Sequence, residues 1–455
     1  MPSITDLPSE VLTTIFKALP LEERHRTVPL VCRRWNQLCN SAPQLLHCIG
    51  LTVPRSERGI ARLTAFCTWL LQHGPGRVQR LSLEALASKH SIAPALWQDL
   101  HVGLVAAVSA CGAGGSLRAL RLHGLCGLPC MWVQAMRGLQ QLDFAAQPLE
   151  KTWSPLAFWH PAPGVLAGLE QLALSPGELT VDTHLPATLT KLHLSFEYSP
   201  KNALPAQMTA LTRLHTLSLK YAGADLSALA GLTSLRRLAL IHCDAWPPCL
   251  SQLNLEALAL EDIGLVDDTE AAAAAAIAAL QTATNLTHLV LTGAVFQSDP
   301  PAQLAALRGL RTFAWAHAYQ PLALGPWAGG VERLVASASA AAGFLGALPA
   351  MAPRLAALGL YCNPYEPFQP LSTLPGLAQG LPALRHLVLA LGSSPSGRLV
   401  QALLAAQRAA PNVCIDCIEV AGDLPTTAGW DALLAAVCGG PGHEAPCADA
   451  FVAEA

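Results

Sequence analysis

The most regular feature of the chain is an apolar spacing that recurs from Val78 onward. The pattern apolar-x-x-apolar-x-apolar is clearest in LRALRL from Leu117, LHTLSL from Leu214, LRRLAL from Leu235 and LRHLVL from Leu384. In each copy the fourth and sixth positions share a parity, so on a strand both side chains point to one face, and the third, fifth and seventh point to the other. The spacing therefore predicts one short strand per copy, paired in parallel with the next.

The copies repeat along most of the chain. Thirteen copies begin at Val78, Leu117, Leu139, Leu169, Leu189, Leu214, Leu235, Leu255, Leu286, Leu310, Val331, Leu355 and Leu384. A degenerate last copy surrounds Val413 and Ile415, and successive starts lie 20 to 31 residues apart, except for 39 residues after Val78. These periods resemble the leucine-rich-repeat family, which implies a curved solenoid with a parallel concave sheet.

The rest of each repeat fits this family less closely. The polar Asn or Cys that the family has at position nine occurs only as Cys243 and Asn363, so we expect irregular bends elsewhere. The alanine-rich residues 269–281 predict a helix on the outer side, because alanine has the highest helix propensity.

The first 46 residues have a different pattern. A helix is predicted between Pro8 and Pro20, and its apolar stripe consists of Val11, Leu12, Ile15, Phe16 and Leu19. Residues 21–28 are polar and charged, and Pro29 begins another short helix over residues 30–38 with apolar positions at Val31, Trp35 and Leu38. So short a segment buries little surface alone, and an apolar stripe indicates a partner.

The run LPSEVLTTIFKALPLEERHRTVPLVCRRWNQL resembles an F-box, with Pro29 as its departure from that family. The resemblance implies docking on a Skp adaptor through Leu7, Pro8, Val11, Leu12, Ile15, Phe16, Leu19, Val31, Cys32 and Trp35. Two alternatives stay open: Val31, Cys32 and Trp35 brace the helices, or all ten residues pack against the first repeat.

An F-box followed by leucine-rich repeats is similar to the substrate receptors of Skp-cullin-F-box ubiquitin ligases. That resemblance implies a non-catalytic receptor without a cofactor, which binds the Skp adaptor, reaches cullin and RING subunits through it, and holds a protein substrate for ubiquitination. We expect it in the cytoplasm or nucleus. The alternatives are a scaffold for a cytoskeletal or regulatory complex and, more distantly, a receptor for a small-molecule signal.

These patterns predict an α/β protein in four parts. Residues 1–46 form a small three-helix F-box, 47–77 a connecting helical segment, 78–420 a curved leucine-rich-repeat solenoid of 13 to 14 repeats, and 421–455 a capping helix with a loose tail.

The third, fifth and seventh repeat positions should form the surface that meets a substrate. Their candidate binding residues are Arg80, Arg121, Lys191, His193, Lys220 and Arg237. From Leu255 onward the same positions are mostly small or apolar. Such a surface suits an acidic or phosphorylated peptide with an apolar anchor, although ordinary solvated strand residues would give the same pattern.

Composition and motifs narrow the remaining possibilities. A net charge of -3, with no basic run longer than Arg33-Arg34, argues against nucleic acid, and no apolar run reaches the ~20 residues of a membrane span. No secretory signal or catalytic motif is present.

One cluster has ligand-like residue types, and its members are Cys414, Cys417, Cys438, His443 and Cys447. If Cys414 and Cys417 lie on the last strand they point to opposite faces, so we expect no metal there.

Overall fold

Short parallel strands follow one another along most of the chain. The computed structural model describes residues 4, 7–19, 23–86, 94–125, 136–145, 166–175, 184–196, 204, 206–223, 225–247, 249–261, 263, 278–292, 301–316, 324–337, 345–362, 374–391 and 397–419. The chain divides into a first unit, residues 1–197 with 205–214, and a second unit, residues 198–204 with 215–455.

Within each unit every strand pairs in parallel with the next one in sequence. The first unit has β1 Cys48–Pro54, β2 Arg80–Leu86, β3 Ala119–His123, β4 Gln141–Ala145, β5 Gln171–Ser175 and β6 Lys191–Ser195. The second unit has β7 Thr216–Lys220, β8 Arg237–Ile241, β9 Ala257–Glu261, β10 His288–Thr292, β11 Thr312–Ala316, β12 Arg333–Ser337, β13 Ala357–Cys362, β14 His386–Leu391 and β15 Cys414–Glu419.

Helices precede and connect the strands. The first unit has α1 Ser9–Ala18, α2 Arg33–Ser41, α3 Pro43–Leu46, α4 Glu57–His73 and α5 Pro94–Ala113; the second has α6 Leu348–Met351, α7 Leu374–Gly380 and α8 Gly397–Ala409. Several shorter connections are 3-10 turns, at Ala206–Ala210, Ser227–Gly231, Leu250–Gln252, Pro301–Ala306 and Pro326–Gly330. Among these described elements, none is a helix with the length and apolar character that crossing a membrane requires. The predicted α/β class, helices followed by a long array of parallel strands, is confirmed.

The leucines of the repeat form the core of each array. In the first unit the fourth-position leucines lie in register across five strands and are at most 2% exposed: Leu81, Leu120, Leu142, Leu172 and Leu192. The buried parity is the predicted one, and each fully buried leucine stabilises the fold by about 1.5–3 kcal/mol. Strand β15 forms at the degenerate copy, where Val413 is buried.

Shared backbone acceptors link successive repeats at the start of each strand. The Gln79 carbonyl accepts hydrogen bonds from the amides of Arg118 and Ala119, at 2.7 and 3.0 Å. In the second unit the Arg236 carbonyl accepts from Glu256 and Ala257, at 2.7 and 3.0 Å. Each strand is thereby aligned by its predecessor before the ladder itself begins.

The structure corrects two predicted segments. Residues 47–77 were predicted to be a connecting helical segment, but they begin with β1, whose alternating Ile49 and Val53 are buried. The predicted helix over residues 30–38 runs instead from Arg33 to Ser41, and the polar stretch before it contains a π-helical turn, Glu23–Thr27. Most of residues 269–281, together with Asn363 and all of residues 421–455, lie outside the described residues.

Cys243, at the ninth position of its repeat, makes hydrogen bonds to the backbone. The Cys243 thiol lies 3.6 Å from the Leu219 carbonyl of the preceding repeat and 3.5 Å from the Ile241 carbonyl, and donates to them. Burial raises its pKa to about 11, so the thiol keeps its proton as a hydrogen-bond donor.

The eighth position turns the chain through a left-handed backbone in three repeats, at Gly124, Tyr221 and His242, with φ of 67°, 56° and 49°. Tyr221 and His242 stack with ring centroids 5.1 Å apart. At Gly124 a Cβ atom would lie 2.0 Å from the Ala85 carbonyl oxygen, so only glycine fits.

We expect Gly124→Ala to lower the free energy of unfolding by ~2 kcal/mol or more, because left-handed strain and the clash with Ala85 add. Gly103→Ala is the matched control: its Cβ would sit 3.6 Å from the Cys67 Cβ, inside helix α5, so a gain of ~0.5–1 kcal/mol is expected. Denaturant unfolding measures both, and equal effects of the two changes would contradict the strain at Gly124.

Candidate functional site

The helical module, defined here as the described residues from Leu7 to Leu46, has a core of its own. The hydrophobic cluster at its centre consists of Leu12, Phe16, Val28, Trp35, Cys39 and Leu45. The rings of Phe16 and Trp35 meet edge to face, with centroids 5.0 Å apart and an interplanar angle of 65°. The i, i+4 spacing of Leu12 and Phe16 places both on the inner face of α1.

Arg24 holds the end of α1 against α3. Its guanidinium is buried and donates to the carbonyls of Lys17 and Leu19, at 3.0 and 2.9 Å, and to the Leu45 carbonyl at 3.0 Å. The Lys17 and Leu19 carbonyls lie at the negative end of the α1 helix dipole, which favours a cation. Burial lowers the pKa of Arg24, with a partial opposing effect from Cys39.

A second arginine fixes the start of the module. Arg34, in the first turn of α2, donates to the Leu7 carbonyl at 2.7 Å and to the Ser9 hydroxyl at 3.1 Å. The Leu-Pro entry to α1 is therefore anchored to α2, and the orientation of the α1 outer face is set by both arginines.

Of the ten predicted adaptor-facing residues, three are buried, four are exposed and three are half-buried. Leu12, Phe16 and Trp35 are buried inside the module, so the structure assigns them a bracing position, whereas Val11 and Ile15 lie on the outer face of α1, 43% and 38% exposed. Of the others, Val31 and Pro8 are exposed, and Leu7, Leu19 and Cys32 are half-buried. The alternative in which all ten pack against the first repeat is excluded by the exposed members.

Two exposed apolar residues were not among the predicted site residues: Leu30, which is 82% exposed in the module, and Ile4, which is 53% exposed and precedes it. With Val11, Ile15 and Val31 they make five of the ten large apolar side chains that are exposed among the described residues. The exposure of Leu30 could have been predicted from its position between Pro29 and the candidate residue Val31. This density of apolar surface in so short a stretch is typical of a protein-binding face.

On the strand face of the first unit, Asp143 pairs with Arg121 and His123 of the preceding strand. Its carboxylate lies 3.3 Å from Arg121 Nε and 2.7 Å from His123 Nε2, and the Arg121 guanidinium lies 3.2 Å from His123 Nδ1. The predicted basic character at Arg121 is therefore partly neutralised by the adjacent repeat. Since Arg121 remains 41% exposed, this pair contributes little to stability.

Two further predicted cations of this unit, Arg80 and Lys191, are exposed at the first position of their strands. The register places Ala119, Gln141 and Gln171 between them. Four strand spacings of about 4.8 Å separate the two by roughly 19 Å, which a bound peptide would span across the strands. His193 is half-buried two residues after Lys191.

The predicted cations of the second unit have close neighbours as well. Lys220 Nζ lies over the Tyr221 ring, 5.3 Å from its centroid, and Arg237 is half-buried on β8. Burial lowers the pKa of His288, two strands along, to about 4, and the positive charges of Arg237 and Arg333 add to the effect. His288 is therefore neutral at physiological pH, between two cations.

The small and apolar positions of the second unit were predicted to form part of the surface that meets a substrate. That prediction is wrong, because their side chains are buried. The cluster Ala239, Ala259, Val290, Ala314, Val335, Ala357, Tyr361, Val388 and Ala390 is at most 6% exposed. An apolar anchor of a substrate does not find free surface at these positions, so the first unit is the better candidate for recognition.

Residues 4–52 match the F-box-like family. The matched segment contains the helical module and most of β1. F-box domains generally bind a Skp adaptor. Comparison with curated protein sequences finds no significant match. The chain therefore carries an F-box-like domain at its N-terminus, followed by parallel-strand arrays that are compatible with leucine-rich repeats.

Truncation of the module core should be costly. We expect Phe16→Ala and Trp35→Ala each to destabilise the module by about 3–5 kcal/mol, because each leaves a cavity against its edge-to-face partner. Ile15→Ala, one position from Phe16 but on the outer face, should cost less than ~1 kcal/mol. Hydrogen exchange of α1 and α2 measures the difference; similar protection in all three variants would show that this core is not what holds the module together.

Proposed function

We propose that the protein is the substrate-recognition subunit of a Skp-cullin-F-box ubiquitin ligase. The helical module would bind the Skp adaptor and, through it, the cullin and RING subunits, while the strand arrays would bind a protein substrate. In this role the chain is a non-catalytic receptor without a cofactor, acting in the cytoplasm or nucleus. The observation that carries the proposal is the apolar outer face of a module that matches the F-box-like family.

The packing of the module supports this role for its outer face. Because the core is complete with Leu12, Phe16 and Trp35, the exposed Val11 and Ile15 are not needed to fold α1. Apolar side chains left in water gain free energy when a partner covers them, about 1.5–3 kcal/mol for each one fully buried. The half-buried Leu7 and Leu19 stand at the two ends of the same helix.

For the substrate, the proposal assigns the polar strand face of the first unit. Arg80 and Lys191 are exposed there at the first position of their strands, and Arg121 is oriented by Asp143. Arginine and lysine at these positions suit a peptide with acidic or phosphorylated groups. The apolar positions of the second unit are buried, so they do not offer a binding surface for an apolar group of the substrate.

The first test uses the outer face of the module. Ile15→Asp and Val31→Asp should each weaken binding of the full chain to a purified Skp adaptor by roughly tenfold to a hundredfold, since a charge replaces a contact residue. Val102→Asp is the matched control, because Val102 is 68% exposed on α5, outside the module. Calorimetry or surface plasmon resonance measures the affinities.

Two results of this test would contradict the proposal: no binding of the wild-type chain to the adaptor, or equal loss with Val102→Asp. Adaptor binding without recovery of a cullin subunit from cells would favour the scaffold function instead.

The second test concerns the strand face. The double variant Arg80→Glu with Lys191→Glu should lower the yield of substrates captured by proximity labelling under proteasome inhibition, at unchanged adaptor binding. Arg137→Glu with Arg213→Glu makes the same change of charge at exposed turn positions of the same unit and should leave the yield as it is. Equal yields for the two double variants would remove the first-unit face as the substrate site.

A further inference from the structure

Three metal-binding residue types meet on the last two strands of the second unit, away from the candidate sites described above. The ligand atoms of His386, Cys414 and Asp416 all lie within 4.8 Å of one another. His386 begins β14 and is half-buried, and Cys414 and Asp416 lie on β15 and are exposed.

Strand register explains why these three residues meet. In the parallel pair β14–β15, His386 is directly opposite Cys414, and Asp416 follows Cys414 by two residues, on the same face. Cys417 is opposite Leu389 and shares the parity of the leucine core, so it points away from Cys414. The structure thus agrees with the argument against a Cys414–Cys417 pair and supplies a different partner for Cys414.

One of the three donor pairs has the separation expected in a tetrahedral zinc site, and the ligand atoms of all three residues lie within 4.8 Å of one another. With zinc–sulfur and zinc–oxygen bonds of about 2.3 and 2.1 Å, a thiolate and a carboxylate oxygen on one ion lie about 3.6 Å apart. The distance between Cys414 Sγ and Asp416 Oδ2 is 3.6 Å. A nitrogen, a thiolate and a carboxylate oxygen form a zinc donor set, with water as the fourth ligand on the exposed side.

The charges around the three residues also favour a cation. The Cys414 sulfur lies 3.6 Å from a carboxylate oxygen of Asp416, so a thiolate and a carboxylate at these two positions would repel each other unless a cation lies between them. The neighbouring Arg385 guanidinium donates instead to the carbonyls of Pro382 and Leu384, at 3.1 and 3.0 Å. A bound divalent ion would take the charge of both anions as the thiol releases its proton to solvent.

We propose that His386, Cys414 and Asp416 form a zinc-binding site that links β15 to β14. The bound ion would join side chains from two strands that are otherwise held by their backbone ladder and leucine packing. It would stabilise β15, which among the described strands pairs with β14 alone.

The experiment uses the full chain, stripped of metal with a chelator, and titrates it with Co²⁺ and then Zn²⁺. Wild-type protein should show a thiolate-to-cobalt charge-transfer band that zinc abolishes. Cys414→Ser should lose the band, and His386→Ala and Asp416→Asn should each weaken zinc binding on the order of tenfold or more. Zinc should also slow amide exchange in β15 of the wild type but not of Cys414→Ser.

Two controls separate this site from the other thiols. Cys417→Ser changes the opposite face of the same strand, and a triple variant, Cys438→Ser with His443→Ala and Cys447→Ser, removes ligands that lie outside the described residues. Both should keep the band and the zinc-dependent protection of β15. Survival of the band in Cys414→Ser, its loss in either control, or unchanged β15 exchange in zinc-loaded wild type would overturn the proposal.

Melting in the presence of chelator checks that the ligand variants fold. All of them should unfold at the same temperature as the metal-free wild type, since Cys414 and Asp416 are exposed. A ligand variant could instead melt at a lower temperature than the wild type without metal and show no rise in melting temperature on addition of zinc. That result would indicate a packing role for the residue and count against the zinc site.

Discussion

Burial of the fourth- and sixth-position leucines against the same positions of the adjacent strand is the interaction on which both arrays depend. Leu120 and Leu122, for example, are in register with leucines before them and with Leu142 and Phe144 after them. A single repeat cannot bury these side chains alone, so its stability comes from its neighbours. The backbone of each repeat is likewise held by its neighbour, because a carbonyl at the start of one strand accepts hydrogen bonds from two amides at the start of the next. The opposite face is thereby left free to vary.

That opposite face differs between the two units, and the difference bears on recognition. In the first unit it carries polar and charged side chains, with Asp143 organising Arg121 and His123. In the second unit many of the corresponding positions are small or apolar and buried, as at Val290 and Val335, and its cations Lys220, Arg237 and Arg333 are half-buried. Charged groups that stay accessible to solvent can exchange water for an anionic partner, and buried alanine or valine cannot. This difference is the reason for proposing the substrate site on the first unit.

The helical module follows a different rule from the arrays. Its core is closed by residues far apart in sequence, and Arg24 and Arg34 fix the ends of α1 by bonds to backbone carbonyls. A buried guanidinium with several carbonyl acceptors recovers much of its lost hydration, which makes such a clamp feasible. Since the module does not need its outer apolar face for folding, that face is explained best by a partner.

The sequence by itself determined the strand starts from β2 onward, their parity, the α/β class and the F-box-like segment, because side-chain periods of 2 and 3.6 residues are local properties of the chain. Strand β1 was missed. It did not separate Leu12 and Phe16 from Val11 and Ile15, since all four lie in one broad apolar stripe. Only Trp35 and Leu45, brought close by the tertiary structure, decide which pair is buried. The pairings of Arg121 with Asp143 and of His386 with Cys414 likewise depend on strand register, which is a property of neighbouring repeats and is not encoded in any one of them.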